Sequence, residues 1–330
     1  MAPMAKVVVS DTIVESLDHE RQVLGEIADV VAIDSVTEDA LWGHVDDADA
    51  FMFYHPLPLT ERTIARMKSC KVIVRCGVGY DNVDIAFARR QGIPVVNVPD
   101  YGTEEVADSA IALTLALTRG VHVTTSRIRR GEPWAFTEGR PLYRLRGRTF
   151  GVIGLGRIGT ATALRAKALG MDVVFYDPYV ADGRDKAIGV RRAEALDELL
   201  GRSFVVSLHC PLTPETRHLI NRDTLAQMRR GSHVVNTARG GVADVLAVLD
   251  AVTSGHLAGA ALDVLETEPP PDDHPLLVAW RDPKHPAYDR VILTPHIAFY
   301  SEEGMTDMRV KGSENCRRVL LGEPPRNVVN

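Results

Sequence analysis

The stretch from Phe150 to Gly170 restricts the fold of this chain more than any other. A short apolar strand, Phe150 to Ile153, runs into Gly154-Leu155-Gly156-Arg157-Ile158-Gly159, which opens a helix-like run from Arg157 to Leu169. The first glycine permits a tight turn, and the second lets backbone N–H groups approach a pyrophosphate. The third lets the helix lie close on the strand, while the helix N-terminus adds partial positive charge. The next strand-like run, Val173 to Tyr176, is followed by Asp177. An acidic side chain there accepts both hydroxyls of an adenosine ribose and repels a 2′-phosphate. A glycine turn alone is a weak signal; strand, turn, helix and acid in this order make a strong one. The pattern predicts NAD(H) as cofactor, held at Gly154, Gly156, Arg157, Ile158, Gly159 and Asp177, with Arg184 the nearby cation that argues the other way.

The motif lies mid-chain, so the residues before it must form something else. At 330 residues, two domains is the expectation. Apolar runs at Val7 to Ser10, Val30 to Ile33, Ala50 to Tyr54, Val72 to Val74 and Val95 to Val98 read as buried strands. Helical candidates such as Thr60 to Lys68 and Val83 to Gln91 lie between them. The alternation restarts with Phe150 to Ile153, Val173 to Tyr176, Phe204 to Leu208, His233 to Asn236, Gly259 to Leu262 and Val291 to Leu293. Such alternation predicts an α/β fold with two doubly wound parallel sheets. Glu104 to about Arg130 carries alanine, leucine and isoleucine at helical spacing and predicts one long helix, ended by Gly131 and Pro133. The proline- and charge-rich segment Pro269 to Arg290 reads as a surface loop.

Several classes are disfavoured. The formal net charge is −6 and no block of basic residues stands out, whereas a phosphate backbone calls for a strongly positive face. Nucleic acid is therefore not an expected partner. Cys70, Cys76, Cys210 and Cys316 show no CxxC spacing, which predicts free thiols and no metal site. No apolar run reaches the roughly 20 residues that span a bilayer, and the start lacks the apolar region of a signal peptide. The expectation is a soluble cytoplasmic protein without a membrane partner.

Reduction of a keto acid by a nicotinamide requires a grip on the carboxylate, polarisation of the carbonyl and a proton for the developing alkoxide. Groups able to do this follow strands of the second unit. Asn236-Thr237-Ala238-Arg239-Gly240-Gly241 places a guanidinium after one strand, where its planar fork can hold carboxylate and carbonyl oxygens. Thr294-Pro295-His296 places an imidazole after another, able to give or take the substrate proton. Glu268 can hydrogen-bond that imidazole and favour its charged form. Each of these singly has an ordinary structural reading. Their recurrence after successive strands beside a dinucleotide motif points to catalysis.

The sequence resembles the D-isomer-specific 2-hydroxyacid dehydrogenases, and within them the branch containing the C-terminal-binding proteins, which are transcriptional corepressors. The resemblance is carried by Arg75-Cys76-Gly77-Val78-Gly79-Tyr80-Asp81-Asn82-Val83-Asp84, Glu104 to Ser109, Gly154 to Gly159, Phe175 to Tyr179 and Leu208 to Leu212. Val235 to Gly241, Ala260 to Val264 and Thr294 to Ser301 complete it. It implies a Rossmann NAD-binding domain over 104–297, inserted into a flavodoxin-like substrate domain of 1–103 and 298–330. It implies Arg239, Glu268 and His296 as the catalytic set. Arg75 and the backbone of Gly77, Val78 and Gly79 would hold the substrate carboxylate, with Phe299 nearby. Cys210, Pro211, Thr237 and Ala238 would line the cofactor, and Asp263 would meet the nicotinamide carboxamide. A homodimer through the 104–130 region is also implied. Bottom-up, Arg75 and its turn are a strand-end charge and a possible anion nest. The sequence departs from the corepressor branch at Phe299, where tryptophan is usual, and near Arg281 to Arg290, which is longer. Formate dehydrogenases place glutamine at the position of Glu268. The expected activity is reduction of a small 2-keto acid or oxidation of a 2-hydroxy acid; the competing reading is an NAD(H)-sensing corepressor-like scaffold with little or no turnover.

Overall fold

A computed structural model describes residues 4–10, 16–35, 37–54, 57–139 and 141–330. It resolves two compact units, one of Met1–Gly102 with Tyr300–Asn330 and one of Thr103–Phe299. The sheets of both are wholly parallel.

In the first unit the strands are β1 (Ala5–Ser10), β2 (Ala28–Ile33), β3 (Ala50–Phe53), β4 (Val72–Arg75) and β5 (Val95–Asn97), in the order β2-β1-β3-β4-β5. This is the flavodoxin-like order, and the connections reverse direction between β1 and β3. β1, β3, β4 and β5 are nearly continuous apolar runs because helices cover both faces. The C-terminal helix Glu302–Leu320 lies on β3 and β4, where Gly312 leaves room for Cys76, Met52 and Val74. Its Arg309 forms a buried two-pronged ion pair with Glu20 on the helix Asp18–Leu24, at 2.7 Å for both contacts. Asp84 caps Ile85–Arg90 by accepting from the Phe87 N–H at 2.8 Å.

The second unit contains β6 (Thr149–Ile153), β7 (Asp172–Tyr176), β8 (Arg191–Arg192), β9 (Val205–Leu208), β10 (Ser232–Asn236), β11 (Leu257–Leu262) and β12 (Val291–Leu293). Their order is β12-β11-β10-β9-β6-β7-β8. Counted from β6, this is the dinucleotide-binding arrangement with one strand added at an edge, and it switches direction between β6 and β9. Asn236, Leu262 and Leu293 pair in register, so β10, β11 and β12 end level. Loops that follow them therefore start from one plane, about 4.8 Å apart.

Two expectations fail. The predicted helix from Glu104 to Arg130 is two helices, Thr103–Arg119 and Val121–Arg129, bent by 64°. Gly120 between them is left-handed at φ 62°, a conformation that glycine adopts without steric cost and that ends an α-helix. Apolar residues continue past the break at Val121, Val123 and Ile128, so periodicity alone missed it. The expected loop Pro269 to Arg290 also holds helices at Pro275–Arg281 and Ala287–Arg290. Pro275 opens the first, the His274 ring caps it, and Leu276 and Leu277 are buried; a favourable start and core contacts outweigh the charged flanks. The helix expected over Thr60 to Lys68 is shorter, Glu61–Ile64, and the two-residue β8 was not expected. No single helix among the described residues is long and apolar enough to cross a membrane. Among them, no three His, Cys, Asp or Glu side chains are grouped so as to hold a metal ion.

Candidate active site

At the direction switch of the second sheet, the three glycines of the 154–159 turn are required for different reasons. Gly154 has φ +91°, and a Cβ there would stand 2.7 Å from the Cys210 nitrogen of the neighbouring strand end. A Cβ on Gly159 would overlap the Gly154 carbonyl oxygen. Gly156 differs, because its φ of −69° is ordinary and a Cβ would meet nothing within 4 Å. Among the described residues nothing crowds that position, which suits a pyrophosphate approaching the backbone from outside.

The helix Arg157–Ala168 that follows has no side-chain cap at Gly156 and no acidic residue in its first turn. Its free N–H groups and positive dipole end face the same open space. Asp177 closes the other side. One carboxylate oxygen accepts from the Leu155 N–H at 2.7 Å and the other from the Tyr179 N–H at 2.9 Å. That fixes the acid to the glycine turn. Arg184 reaches Thr160 Oγ1 at 3.2 Å, so its guanidinium is turned to the helix. Cys210 and Pro211 begin the loop after β9, and burial pushes the Cys210 thiol up to about 11, which keeps it unreactive. Thr237 Oγ1, after β10, is buried and makes no hydrogen bond among the described residues. An open glycine, an uncapped helix start, a carboxylate at the next strand end and a buried hydroxyl together suit a dinucleotide.

The candidate reacting groups, Arg239, Glu268 and His296, sit on the loops after β10, β11 and β12. Asn236 ends β10 and braces the turn beyond it: its Nδ2 donates to the Arg239 carbonyl at 2.9 Å, and its Oδ1 accepts from the Ala238 N–H at 3.0 Å. Gly240 lets this turn touch the next loop, since a Cβ would overlap the Leu265 backbone. The Leu265 N–H in turn donates to Glu268 Oε1 at 2.7 Å. The other Glu268 oxygen meets His296 Nδ1 at 2.6 Å. Both side chains keep some exposure, 24% and 19%, so a substrate can reach the imidazole. Phe299 stands edge-on to that ring, with centroids 5.9 Å apart. The structure thus brings Arg239, Glu268 and His296 onto adjacent loops and joins the last two directly.

Asp263 immediately follows β11. It is 2% exposed. Oδ1 accepts from Thr294 Oγ1 at 2.6 Å and from the Ile297 N–H at 3.0 Å, while Oδ2 accepts from the Ala298 N–H at 3.0 Å. Its carbonyl also accepts from the His296 N–H at 2.8 Å. His296 has φ 52°, a conformation that costs a non-glycine residue energy and persists where neighbours hold it. Asp263 is that hold.

In the first unit, the turn after β4 is built over Arg75. The guanidinium is buried, donates from Nη1 to the Cys76 carbonyl at 2.7 Å, and occupies the place where a Gly77 Cβ would stand. The Gly77 and Val78 carbonyls accept from the Val98 N–H and Asn97 Nδ2. Among the described residues no protein acceptor engages the Val78 or Gly79 N–H groups. Arg75 therefore supports the turn from beneath, and the turn's N–H groups are what it offers outward.

A family model for the NAD binding domain of D-isomer specific 2-hydroxyacid dehydrogenases matches residues 111–298. The chain belongs to this family. Residues 111–298 are its NAD-binding domain, and NAD(H) is its cofactor. The D-3-phosphoglycerate dehydrogenase of Methanocaldococcus jannaschii is 38% identical over 327 residues, which are 99% of this chain and 60% of that protein. The enzyme of the same name from Synechocystis is 36% identical over 330 residues, 99% of this chain and 56% of the relative. The chain thus spans 56–60% of the length of these relatives. A solved D-lactate dehydrogenase from Aquifex aeolicus, complexed with NAD and lactic acid, is 29% identical; it aligns over 96% of each chain with a TM-score of 0.84.

Within this dehydrogenase family framework, three contributors escaped the sequence reading. Asn236 braces the arginine turn, Gly240 joins two loops, and Thr294 joins Asp263 to the histidine loop. An asparagine ending a buried strand just before a turn was the available signal for the first. The others depend on contacts between strands distant in sequence.

Proposed function

We propose that this protein is an NAD-dependent oxidoreductase that transfers hydride between NAD(H) and a small 2-keto or 2-hydroxy acid, of the D series by family. The observation that carries this reading is the 2.6 Å contact between Glu268 and His296 Nδ1 beside the Arg239 turn. Bound NADH supplies the hydride. Glu268 takes the Nδ1 side of the ring, which leaves Nε2 to exchange a proton with the substrate oxygen. Arg239, held by Asn236 and Gly240, polarises the carbonyl and orients the carboxylate. The first unit serves as the substrate domain, and its turn after β4 offers the Val78 and Gly79 N–H groups as a carboxylate-binding nest. Asp177 directs the site to NAD rather than NADP, because a 2′-phosphate beside a carboxylate is repelled.

The test is NADH oxidation with a panel of 2-keto acids, together with His296→Ala. Loss of the proton donor lowers turnover by about a hundredfold or more and leaves NADH affinity nearly intact. Wild-type turnover in that variant removes His296 from the mechanism. Tight NADH binding without turnover of any keto acid supports the scaffold reading instead.

The same reading includes a homodimer through the 104–130 helix region, which the exposed segment after it extends. Val121, Ile128, Trp134 and Phe136 are exposed there, the last two at 88% and 80%. Exposed apolar side chains gathered in one segment favour a second copy as cover. Ile128→Arg is expected to shift the mass measured by light scattering from dimer to monomer; a wild-type that is already monomeric removes the proposal.

A further inference from the structure

Three non-glycine residues among the described ones have a left-handed backbone: His218, His296 and Asn327, at φ 50°, 52° and 57°. Backbone strain of this kind persists where neighbours hold it, and it gathers at functional sites. The strain at His296 belongs to the candidate site. His218 stands outside that site but touches the same short loop. His296 meets Glu268, and His218 Nε2 meets Glu266 Oε1, two residues earlier, at 2.8 Å.

Around Glu266, three strand-end connections of the second unit come together. Arg217, in the segment after β9, donates from Nη1 to the same Glu266 oxygen at 2.8 Å. The Arg239 turn, after β10, lies between that segment and the loop of Glu266. On one side, the His218 N–H donates to the Gly241 carbonyl at 2.8 Å and the Ile220 N–H to the Val242 carbonyl at 3.1 Å. On the other, a Cβ on Gly240 would stand 2.3 Å from the Glu266 nitrogen, and one on Gly241 would stand 3.7 Å from Glu266 Oε1. The Glu266 side chain thus passes the Gly240-Gly241 backbone and is gripped by Arg217 and His218. The grip is itself anchored. Asn221 Nδ2 donates to the His218 carbonyl at 2.9 Å, and Asn221 Oδ1 caps the helix Arg222–Gln227 by accepting from the Thr224 N–H at 3.1 Å.

Resting on the dehydrogenase reading, we propose that Arg217, His218 and Glu266 form a clasp that holds the Arg239 turn against the loop of Glu268. The three are positioning residues, acting through Arg239 and Glu268. What they fix is the spacing between the guanidinium that polarises the carbonyl and the carboxylate that sets the imidazole. A displacement of about 1 Å in such groups costs up to about a hundredfold in rate. As a source of stability the clasp counts for little, because its Arg217, His218 and Glu266 side chains are 60%, 40% and 37% exposed. Rate and stability therefore respond differently to its removal.

The experiment is Glu266→Ala, assayed with the 2-keto acid that the wild-type protein reduces fastest. The expected result is a kcat lowered at least about fivefold, with NADH affinity by fluorescence titration within about threefold and apo Tm within about 3 °C of wild type. Arg217→Ala with His218→Asn opens the clasp from the other side; asparagine tolerates the left-handed backbone and is too short to reach Glu266. In that background Glu266→Ala should change kcat by less than about twofold, because residues that act as one unit are not additive. Asp250→Ala is the control. It breaks an exposed 2.8 Å pair with Arg222 in the same unit and should leave kcat at the wild-type value. A fall in kcat smaller than about fivefold, a matching loss of NADH affinity or a larger drop in Tm overturns the inference. So does a further loss of twofold or more in the opened background, or an equal fall in Asp250→Ala. Each of these leaves the dehydrogenase reading standing. Wild-type protein that turns over no 2-keto acid overturns the dehydrogenase reading, and the inference with it.

Discussion

Gly156→Ala is expected to separate folding from function within the glycine turn. At φ −69° and with nothing within 4 Å of the added methyl, alanine fits the native backbone. A glycine replaced by alanine in a compatible conformation stabilises by about 0.4–1 kcal/mol, because the unfolded chain loses freedom. For a unit of this size that is a rise of roughly 1–4 °C in apo Tm. The same methyl stands where a pyrophosphate must approach the backbone, so NADH affinity should fall at least about tenfold, equivalent to about 1.4 kcal/mol. Gly159→Ala is the control with the opposite sign. Its methyl would overlap the Gly154 carbonyl oxygen, which forces the helix off the strand and costs about 1–3 kcal/mol or more. Calorimetry of the apoproteins and fluorescence titration with NADH measure both quantities. A Gly156→Ala protein that binds NADH as tightly as wild type would refute the reasoning, since the open space would then not be the pyrophosphate site.

Asp263→Asn should lower kcat by about tenfold to a hundredfold, because an amide facing the Ala298 N–H or Thr294 hydroxyl releases the strained His296 loop. NADH affinity, measured by titration, should stay within about threefold; a parallel loss of both would show that the carboxylate acts on the cofactor directly. Acid should destabilise the fold through buried imidazoles. Burial pushes His209 down to about 3 and His233 down to about 4, so both stay neutral in the native state while the unfolded chain takes up protons below about pH 6.5. Stability attributable to them is intact above pH 6.5 and falls as pH drops toward those values, by about 2–3 kcal/mol each between pH 6.5 and 4.5. Urea midpoints across that range should fall less steeply in His233→Gln; an unchanged slope would place the proton uptake elsewhere.

The parallel architecture was legible in the sequence because the buried strands are short apolar runs, most of them rich in valine, isoleucine or alanine, and such runs need helices on both faces. The order of the strands was not, since which run pairs with which depends on non-local packing. Helix breaks were the weakest point. Gly120 lies in a segment whose apolar spacing continues on both sides, and only its left-handed backbone, chosen by the packing of the two helices, reveals the bend.

The sequence by itself determined the chemistry on offer: a glycine turn between strand and helix, an aspartate at the next strand end, and an arginine, a glutamate and a histidine each shortly past a strand. Residue type and local spacing suffice for that, because they are properties of a few consecutive positions. Tertiary structure decided how those groups work together. Level strand ends set Arg239, Glu268 and His296 on neighbouring loops, Gly240 let two of those loops touch, and both the carboxylate and the carbonyl of Asp263 were drawn to the histidine loop. Arg75 was likewise turned beneath its own glycine turn. The hydrogen bonds that settle these orientations join residues far apart in the chain, and only the folded sheet brings them within reach.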